Sequence, residues 1–435
     1  MLSKELLKEL LLEQQQKIKK STSEHFIKRD RLDKVKEFID VRHAIVITGI
    51  RRSGKSVFLS QIINNFYDKY YYVNFEDERL ADFNLSDFNK LYETCLEIFG
   101  STKVFFLDEV QNISGWEKWV RRMYEDNFKF FITGSNAKLL SRELATLLTG
   151  RHLQFSIYPF SFGEFLKFQG LDFDKNDIYL TEKRAIILRH FSKYLKTGGF
   201  PEYLKYQKIE ILQEYFNNII DRDIVERYKV SNIKQIKELA RYLITNTGNL
   251  TTYNKLKKLT ELKSVNTVIK YLSYLENAYI LFKVPYFSYS LKKQIMNPFK
   301  VYAIDAGLRG AVSFTFSRDI GRIYETVVAI ELKRRNEEIY YWKNQQQEEV
   351  DFVIKQGTKI KKLVQVCYDV QDVRTKEREI RALVKASKEL RCNDLLILTQ
   401  DYDAEEQINW FGLKRKIKFV PVWKWLLVTK KLYQV

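Results

Sequence analysis

The chain predicts an α/β fold with a parallel-sheet core, and three stretches carry that expectation. Ala44-Ile45-Val46-Ile47-Thr48 is an apolar, β-branched run suited to a buried parallel strand. It leads into Gly49-Ile50-Arg51-Arg52-Ser53-Gly54-Lys55-Ser56, which meets the phosphate-loop pattern G-x-x-x-x-G-K-[ST] at every fixed position, and then into Val57-Phe58-Leu59 and Ile62-Ile63 at helical spacing. Further on, Val104-Phe105-Phe106-Leu107 ends in Asp108-Glu109, a second strand that delivers two carboxylates to its C-terminal end. From Gly321 the chain alternates helix and strand signals, as a mixed α/β domain does.

The elements follow in order. Residues 1 to about 22 read as an amphipathic helix with Leu2, Leu6, Leu10 and Leu12 on or near one stripe, able to pack on the core or on a second subunit. His25 to Asp40 reads as a helix leading into the first strand. Its Arg29 and Arg31 lie near where an adenine could be held, but a solvated face is the expected place for both. In the loop, Gly49 and Gly54 permit backbone angles that turn several N–H groups onto one anion, and the helix N-terminus adds its partial positive charge. Lys55 is placed to reach β- and γ-phosphates and the Ser56 hydroxyl to ligate magnesium, with Arg52, Ser53 and Val57 completing the nucleotide-binding set. The cofactors this implies are ATP and Mg2+.

Tyr70 to Phe75 predicts the next strand, with Glu76-Asp77-Glu78 at its end, and Ser86 to Phe99 a helix. Asp108 is assigned to the magnesium ion and Glu109 to activation of the attacking water. Phe128 to Thr133 predicts a strand beside the phosphate-loop strand, ending in Gly134-Ser135-Asn136. Ser135 or Asn136 would lie near the γ-phosphate or cap a helix. Lys138 to Leu148 reads as helical and ends in Thr149-Gly150-Arg151. Arg142 or Arg151 lies in the region from which an arginine can serve a neighbouring subunit's γ-phosphate, and Arg151 is taken as the catalytic candidate.

Among 435 residues, 45% hydrophobic and 30% charged, no apolar run approaches the roughly 20 residues of a membrane span, and the charged N-terminus lacks a secretory core. A cytoplasmic protein without a membrane is expected. Cys95, Cys367 and Cys392 stand far apart with no histidine partners, which points to small buried hydrophobes rather than disulfides or zinc. The net charge of +19 is the compositional outlier and points to nucleic acid or an anionic membrane surface. Its distribution sharpens this: Tyr228 to Lys300 holds 13 Lys and Arg against three acids, 13 − 3 = +10.

Within that basic stretch Ile233 to Ile244, Thr252 to Leu259 and Ser264 to Glu276 read as three helices, followed by a hairpin around Tyr279 to Val284. This is the pattern of a winged helix. Its third helix would show Lys263, Asn266, Thr267 and Lys270 to duplex DNA, while Val265, Val268, Ile269, Leu272 and Leu275 hold the core. A module packed on protein instead is the alternative.

GIRRSGKS, YYVNFEDERL, KVFFLDEVQN, FITGSNAKLLSRELATLLTGR, IYPFSFGEF and GGFPEYL together resemble the AAA-type P-loop ATPases of archaea and bacteria that carry a C-terminal domain of unknown function. The resemblance runs from about residue 25 almost to the C-terminus. It implies an ATPase core at 25–165 after the 1–24 helix, a helical lid at 166–230, a winged-helix module at 231–305, and a domain similar to PD-(D/E)xK nucleases at 306–435. In that domain Glu325, Asp351 and Gln365-Val366-Cys367 match the positions of the nuclease glutamate, aspartate and E-x-K. Gln365 cannot supply a metal-binding charge and Cys367 cannot replace the lysine, so an inactive domain kept for DNA binding or assembly is expected. The reading that joins these features is a homo-oligomeric, magnesium-dependent ATPase that remodels or translocates double-stranded or branched DNA. A nucleotide-controlled signalling scaffold with a protein partner is the alternative.

Overall fold

The computed structural model describes residues 3–23, 26–135, 151–174, 176–313, 319–410 and 412–427. Asn136, Arg142, the helix expected at Lys138 to Leu148 and Thr149-Gly150 lie outside the described residues. Two compact units form, Met1–Pro159 with Asn277–Tyr279, and Phe160–Glu276 with Ile280–Val435.

In the first unit, strands β1 (Ala44–Thr48), β2 (Tyr71–Asn74), β3 (Val104–Asp108), β4 (Lys129–Gly134) and β5 (His152–Ser156) form one parallel sheet in the order β2-β3-β4-β1-β5. The apolar runs of β1 to β4 are buried, as a parallel sheet covered by helices requires, while the edge strand β5 buries only Phe155. The helices are α1 (Lys4–Ser23), α2 (Arg31–Lys36), α3 (Lys55–Phe66), α4 (Asp87–Phe99) and α5 (Trp116–Glu125). The register pairs Thr48 with Gly134, Asn74 with Asp108 and Leu107 with Ile132, so the strand ends share one edge. Helix α1 belongs to this unit: Leu7, Leu10 and Leu11 join the core beside Val46, Tyr71 and Phe105. The expected stripe is displaced, since Leu12 is 45% exposed. Gln14 completes the helix's role by accepting from Asn74 N at 2.8 Å and donating to Asn74 O at 3.0 Å, which occupies backbone groups on the edge strand β2. Residues 277–279 close the unit, with the Tyr279 hydroxyl donating to Thr48 Oγ1 at 2.6 Å.

The second unit opens with α6 (Phe162–Phe168), started by a capping box between Ser161 and Glu164. Helices α7 (Thr181–Thr197), α8 (Pro201–Tyr206) and α9 (Ile209–Asn218) follow, and the last continues as a π-helical stretch over Ile219–Glu226. The GGFP turn between α7 and α8 has a packing reason: a side chain at Gly198 would lie 2.0 Å from the Asp305 carboxylate. That carboxylate accepts from Gly199 N at 2.7 Å and Leu308 N at 3.0 Å. Next come α10 (Ile233–Thr245), β6 (Leu250–Thr251), α11 (Tyr253–Leu259), α12 (Val265–Asn277), β7 (Leu281–Val284), α13 (Leu291–Met296) and β8 (Phe299–Ala303), with β6, β8 and β7 in one antiparallel sheet. In α12, Val268, Leu272 and Leu275 are buried as expected, but Ile269 is 41% exposed because it lies on the outward face with Asn266 and Lys270.

The chain ends in α14 (Ala306–Val312), α15 (Ile320–Arg334), β9 (Glu338–Lys343), β10 (Glu349–Gln356), β11 (Lys359–Val366), α16 (Val373–Glu389), β12 (Leu395–Thr399), β13 (Ala404–Trp410), β14 (Leu413–Pro421) and α17 (Val422–Leu427). Six strands form a mixed sheet in the order β13-β14-β12-β11-β10-β9. All three cysteines are buried and free; Cys367 and Cys392 lie in this domain's apolar core, where burial pushes the Cys367 thiol up to about 12.

Candidate active site

The loop from Gly49 to Ser56 joins β1 to α3 as its sequence predicts. Gly49 is required by close approach as well as by conformation: at φ +145° a Cβ would lie 2.0 Å from the carbonyl oxygen of Ile157. Gly54, with φ +92°, is the N-cap of α3, and Lys55 and Ser56 are its first residues. Arg52 is exposed with φ +66°, and Val57 is half-buried in the first turn. The Ser53 hydroxyl is buried without a hydrogen-bond partner among the described residues, a polar atom suited to a ligand.

Lys55 is buried, and its Nζ lies 3.4 Å from both Ile50 O and Glu109 Oε1. These contacts are long enough for the ammonium to turn toward a phosphate. Asp108, at the end of β3, is 1% exposed. It accepts hydrogen bonds from the Tyr72 hydroxyl at 3.1 Å and from the Thr133 hydroxyl. Burial, with the Glu109 charge, raises the Asp108 carboxyl above the ordinary range, against the pull of Thr133 and Ser56. Glu109 sits in a left-handed conformation at φ +52°, which turns it off the strand axis. Burial works to raise its carboxyl, but Lys55, Gln111 and Arg51 outweigh it and hold Glu109 ionised.

Thr133 ties the two acids together. Its Oγ1 donates to Asp108 and accepts from Glu109 N at 2.9 Å. Sequence reading, which looked to Ser135 and Asn136, did not single out Thr133; the signal for it is the parallel register, which sets it beside Asp108 once Leu107 faces Ile132. Ser135 is buried at the end of β4.

Arg29 is the second residue missed, and it corrects the expectation of a solvated face. It is 3% exposed. Its Nη1 donates to Ser53 O at 2.8 Å and its Nη2 to Tyr158 O at 2.6 Å, so the guanidinium braces the phosphate loop against the segment after β5. Of the acids after β2, Glu76 pairs with Arg51 Nη1 at 2.7 Å and Asp77 is held down to about 2 by Arg79; both serve local structure.

Lys55, Ser56, Asp108, Glu109 and Thr133 thus converge on one edge of the sheet, with Gly49, Ser53 and Gly54 around them. Arg151 does not join them within the chain. It is exposed, and its carbonyl accepts from Ala44 N at 3.1 Å, at the opposite end of β1 from Gly49, a strand length of roughly 16 Å away at about 3.3 Å per residue. The residues present fit a nucleoside triphosphate with a divalent cation: a free buried hydroxyl, a lysine with loose contacts, and a Ser–Asp pair of hard oxygen donors.

Residues 41–166 match the AAA domain family, and residues 188–319 and 320–420 match two domains of unknown function, DUF8612 and DUF4143. An uncharacterized protein of Methanocaldococcus jannaschii is 42% identical over 399 residues, covering 88% of this chain and 88% of that protein. An uncharacterized protein of Haemophilus influenzae is 31% identical over 356 residues, covering 78% of this chain and 86% of its own length. The Walker-type ATPase of Pyrococcus abyssi shows a looser structural likeness, with a TM-score of 0.42 and 17% identity over 67% of this chain and 97% of that one. The chain belongs to the family of the archaeal and bacterial proteins it matches along its length, with an AAA-type P-loop ATPase domain followed by two domains of unknown function.

Proposed function

We propose that the protein is a magnesium-dependent ATP hydrolase that works as a homo-oligomer and couples hydrolysis to remodelling or translocation of duplex or branched DNA. The observation that carries the hydrolase part is the convergence of Lys55, Ser56, Asp108 and Glu109 on one sheet edge. Lys55 would bind the β- and γ-phosphates, Ser56 and Asp108 would hold the Mg2+ shell, and Glu109, ionised beside Lys55, would orient and deprotonate the attacking water. The bound Mg2+ would neutralise charge on the leaving phosphates. Arg151, remote from its own loop, is available only to a neighbouring subunit.

The DNA part is supported by the stretch from α10 to β8, whose order of elements resembles a winged helix with α13 added between β7 and β8. Lys258, Lys263, Asn266, Lys270, Lys292 and Lys293 are exposed on it. Lysine contacts to phosphate give salt-dependent affinity with little sequence preference. A second reading, a switch that binds a protein partner, is favoured by one feature: Tyr289, Leu291, Ile295 and Met296 are 65–75% exposed between β7 and β8.

ATP turnover with and without duplex or branched DNA tests the proposal. Stimulation by DNA and loss of turnover in Glu109→Gln are expected. A Glu109→Gln protein hydrolysing at the wild-type rate refutes the role of Glu109. A titration across salt separates the two readings, because affinity for DNA falls steeply with salt and an apolar protein contact does not.

A further inference from the structure

The buried charge cluster of the C-terminal domain takes no part in the ATPase site. Lys300, on β8, is 2% exposed, yet it counted toward the basic stretch as though it faced solvent. Its Nζ meets three carboxylates: Glu349 Oε1 at 2.7 Å, Glu325 Oε1 at 2.8 Å and Asp351 Oδ1 at 3.0 Å. An ammonium has three donors; Lys300 donates to Glu325 Oε1 and Asp351 Oδ1 and forms an ion pair with Glu349. Glu325 comes from α15 and the other two acids from β10, so three elements converge on this nitrogen.

We propose that the Lys300 ammonium is the resident cation of this cluster, filling the point that Glu325, Glu349 and Asp351 share and so keeping the domain free of divalent metal and of metal-dependent phosphodiester cleavage. Two of the three carboxylates take a further hydrogen bond from the protein. Asp351 Oδ2 accepts from Val366 N at 3.0 Å, and Glu325 accepts from the Tyr302 hydroxyl. Glu349 Oε2 lies 3.5 Å from Lys343 Nζ, which brings a second positive charge against the three carboxylates. Gln365 is committed elsewhere: its Oε1 accepts from Asp351 N at 3.2 Å and its Nε2 donates to Glu379. No further cation is needed for the cluster to be satisfied. Divalent metals bind carboxylate oxygens at about 2.0–2.6 Å, so a metal taking the point these three acids share would have to expel the Lys300 ammonium, which contacts all three.

Equilibrium dialysis of the nucleotide-free, full-length chain against Mn2+ tests this. The wild-type and Asp351→Asn chains are expected to bind equal amounts, while Lys300→Met gains one bound ion per chain that is lost when Asp351→Asn is added. Wild-type binding that Asp351→Asn abolishes overturns the proposal, and so does a folded Lys300→Met that gains no ion. Should Lys300→Met fail to fold, the wild-type comparison with Asp351→Asn still decides. Plasmid cleavage with Mn2+ by the wild-type chain, lost in Asp351→Asn, would likewise refute it.

Discussion

Replacing Thr133 by valine keeps the shape of a buried side chain and removes one hydroxyl, yet that hydroxyl serves both acids of the ATPase site. A hydrogen bond to a charged group contributes roughly 1.5–3 kcal/mol, and a buried N–H left unpaired costs about 1–3 kcal/mol. If about 3 kcal/mol of that total falls on the transition state, through a loosened Asp108 and a Glu109 free to turn, kcat falls about 10²-fold. The pH profile moves too. Thr133 pulls the Asp108 carboxyl down against burial, so without it Asp108 holds its proton to higher pH, and the acid limb of kcat shifts upward. Steady-state ATP hydrolysis across pH measures both effects, with Thr133→Ser, which keeps the hydroxyl, remaining close to wild type. A Thr133→Val protein with wild-type kcat and an unmoved acid limb would refute this account of the site.

Three further outcomes are expected. Gly49→Ala places a Cβ 2.0 Å from Ile157 O at a φ of +145°, and should abolish nucleotide binding in a fluorescent-nucleotide titration and lower the melting temperature. Arg29→Ala removes the brace on Ser53 O and Tyr158 O, and should raise KM for ATP about tenfold or more with a smaller change in kcat, since the loop is loosened but its chemical groups remain. Glu325 is raised to about 7 by burial, against the attraction of Lys300 and with Asp351 adding to the rise; Tyr302 also faces it, and Glu349 shares its Lys300. The folded state therefore holds a proton between about pH 4.5 and 7 that the unfolded state has lost, and stability contributed there declines as pH rises through that window. Glu325→Gln should flatten that decline in denaturant unfolding followed from pH 5 to 8.

What the sequence disclosed was what a short stretch encodes alone. The strand, loop and helix around Lys55 and the strand ending in Asp108 need only local periodicity and a fixed spacing, and all were read within a residue or two. Thr133, Tyr72 and Arg29 escaped because each acts across strands or across more than 20 residues of chain, and nothing in its own neighbourhood distinguishes it. Strand β13 escaped for another reason: Ala404-Glu405-Glu406-Gln407-Ile408-Asn409-Trp410 is an edge strand whose alternation is largely polar. Lys300 shows the limit of charge counting, because its burial is set by acids 25 to 51 residues further on. Ile269 shows the same for periodicity, where a helix with its polar neighbours outward still exposes one apolar side chain.

The hydrogen bond from Tyr279 to Thr48 bears on how the protein comes into being. It closes a span of 231 residues within a unit whose sheet is otherwise complete by Ser156. On the ribosome the sheet can therefore form early, but its last partner arrives only once synthesis has reached Tyr279. Closing so long a span costs only slightly more entropy than closing a shorter one, since the cost grows with the logarithm of length, but it delays folding. A chain cut after residue 159 would keep every strand of the sheet and lose the hydroxyl that seats the residue just before the phosphate loop.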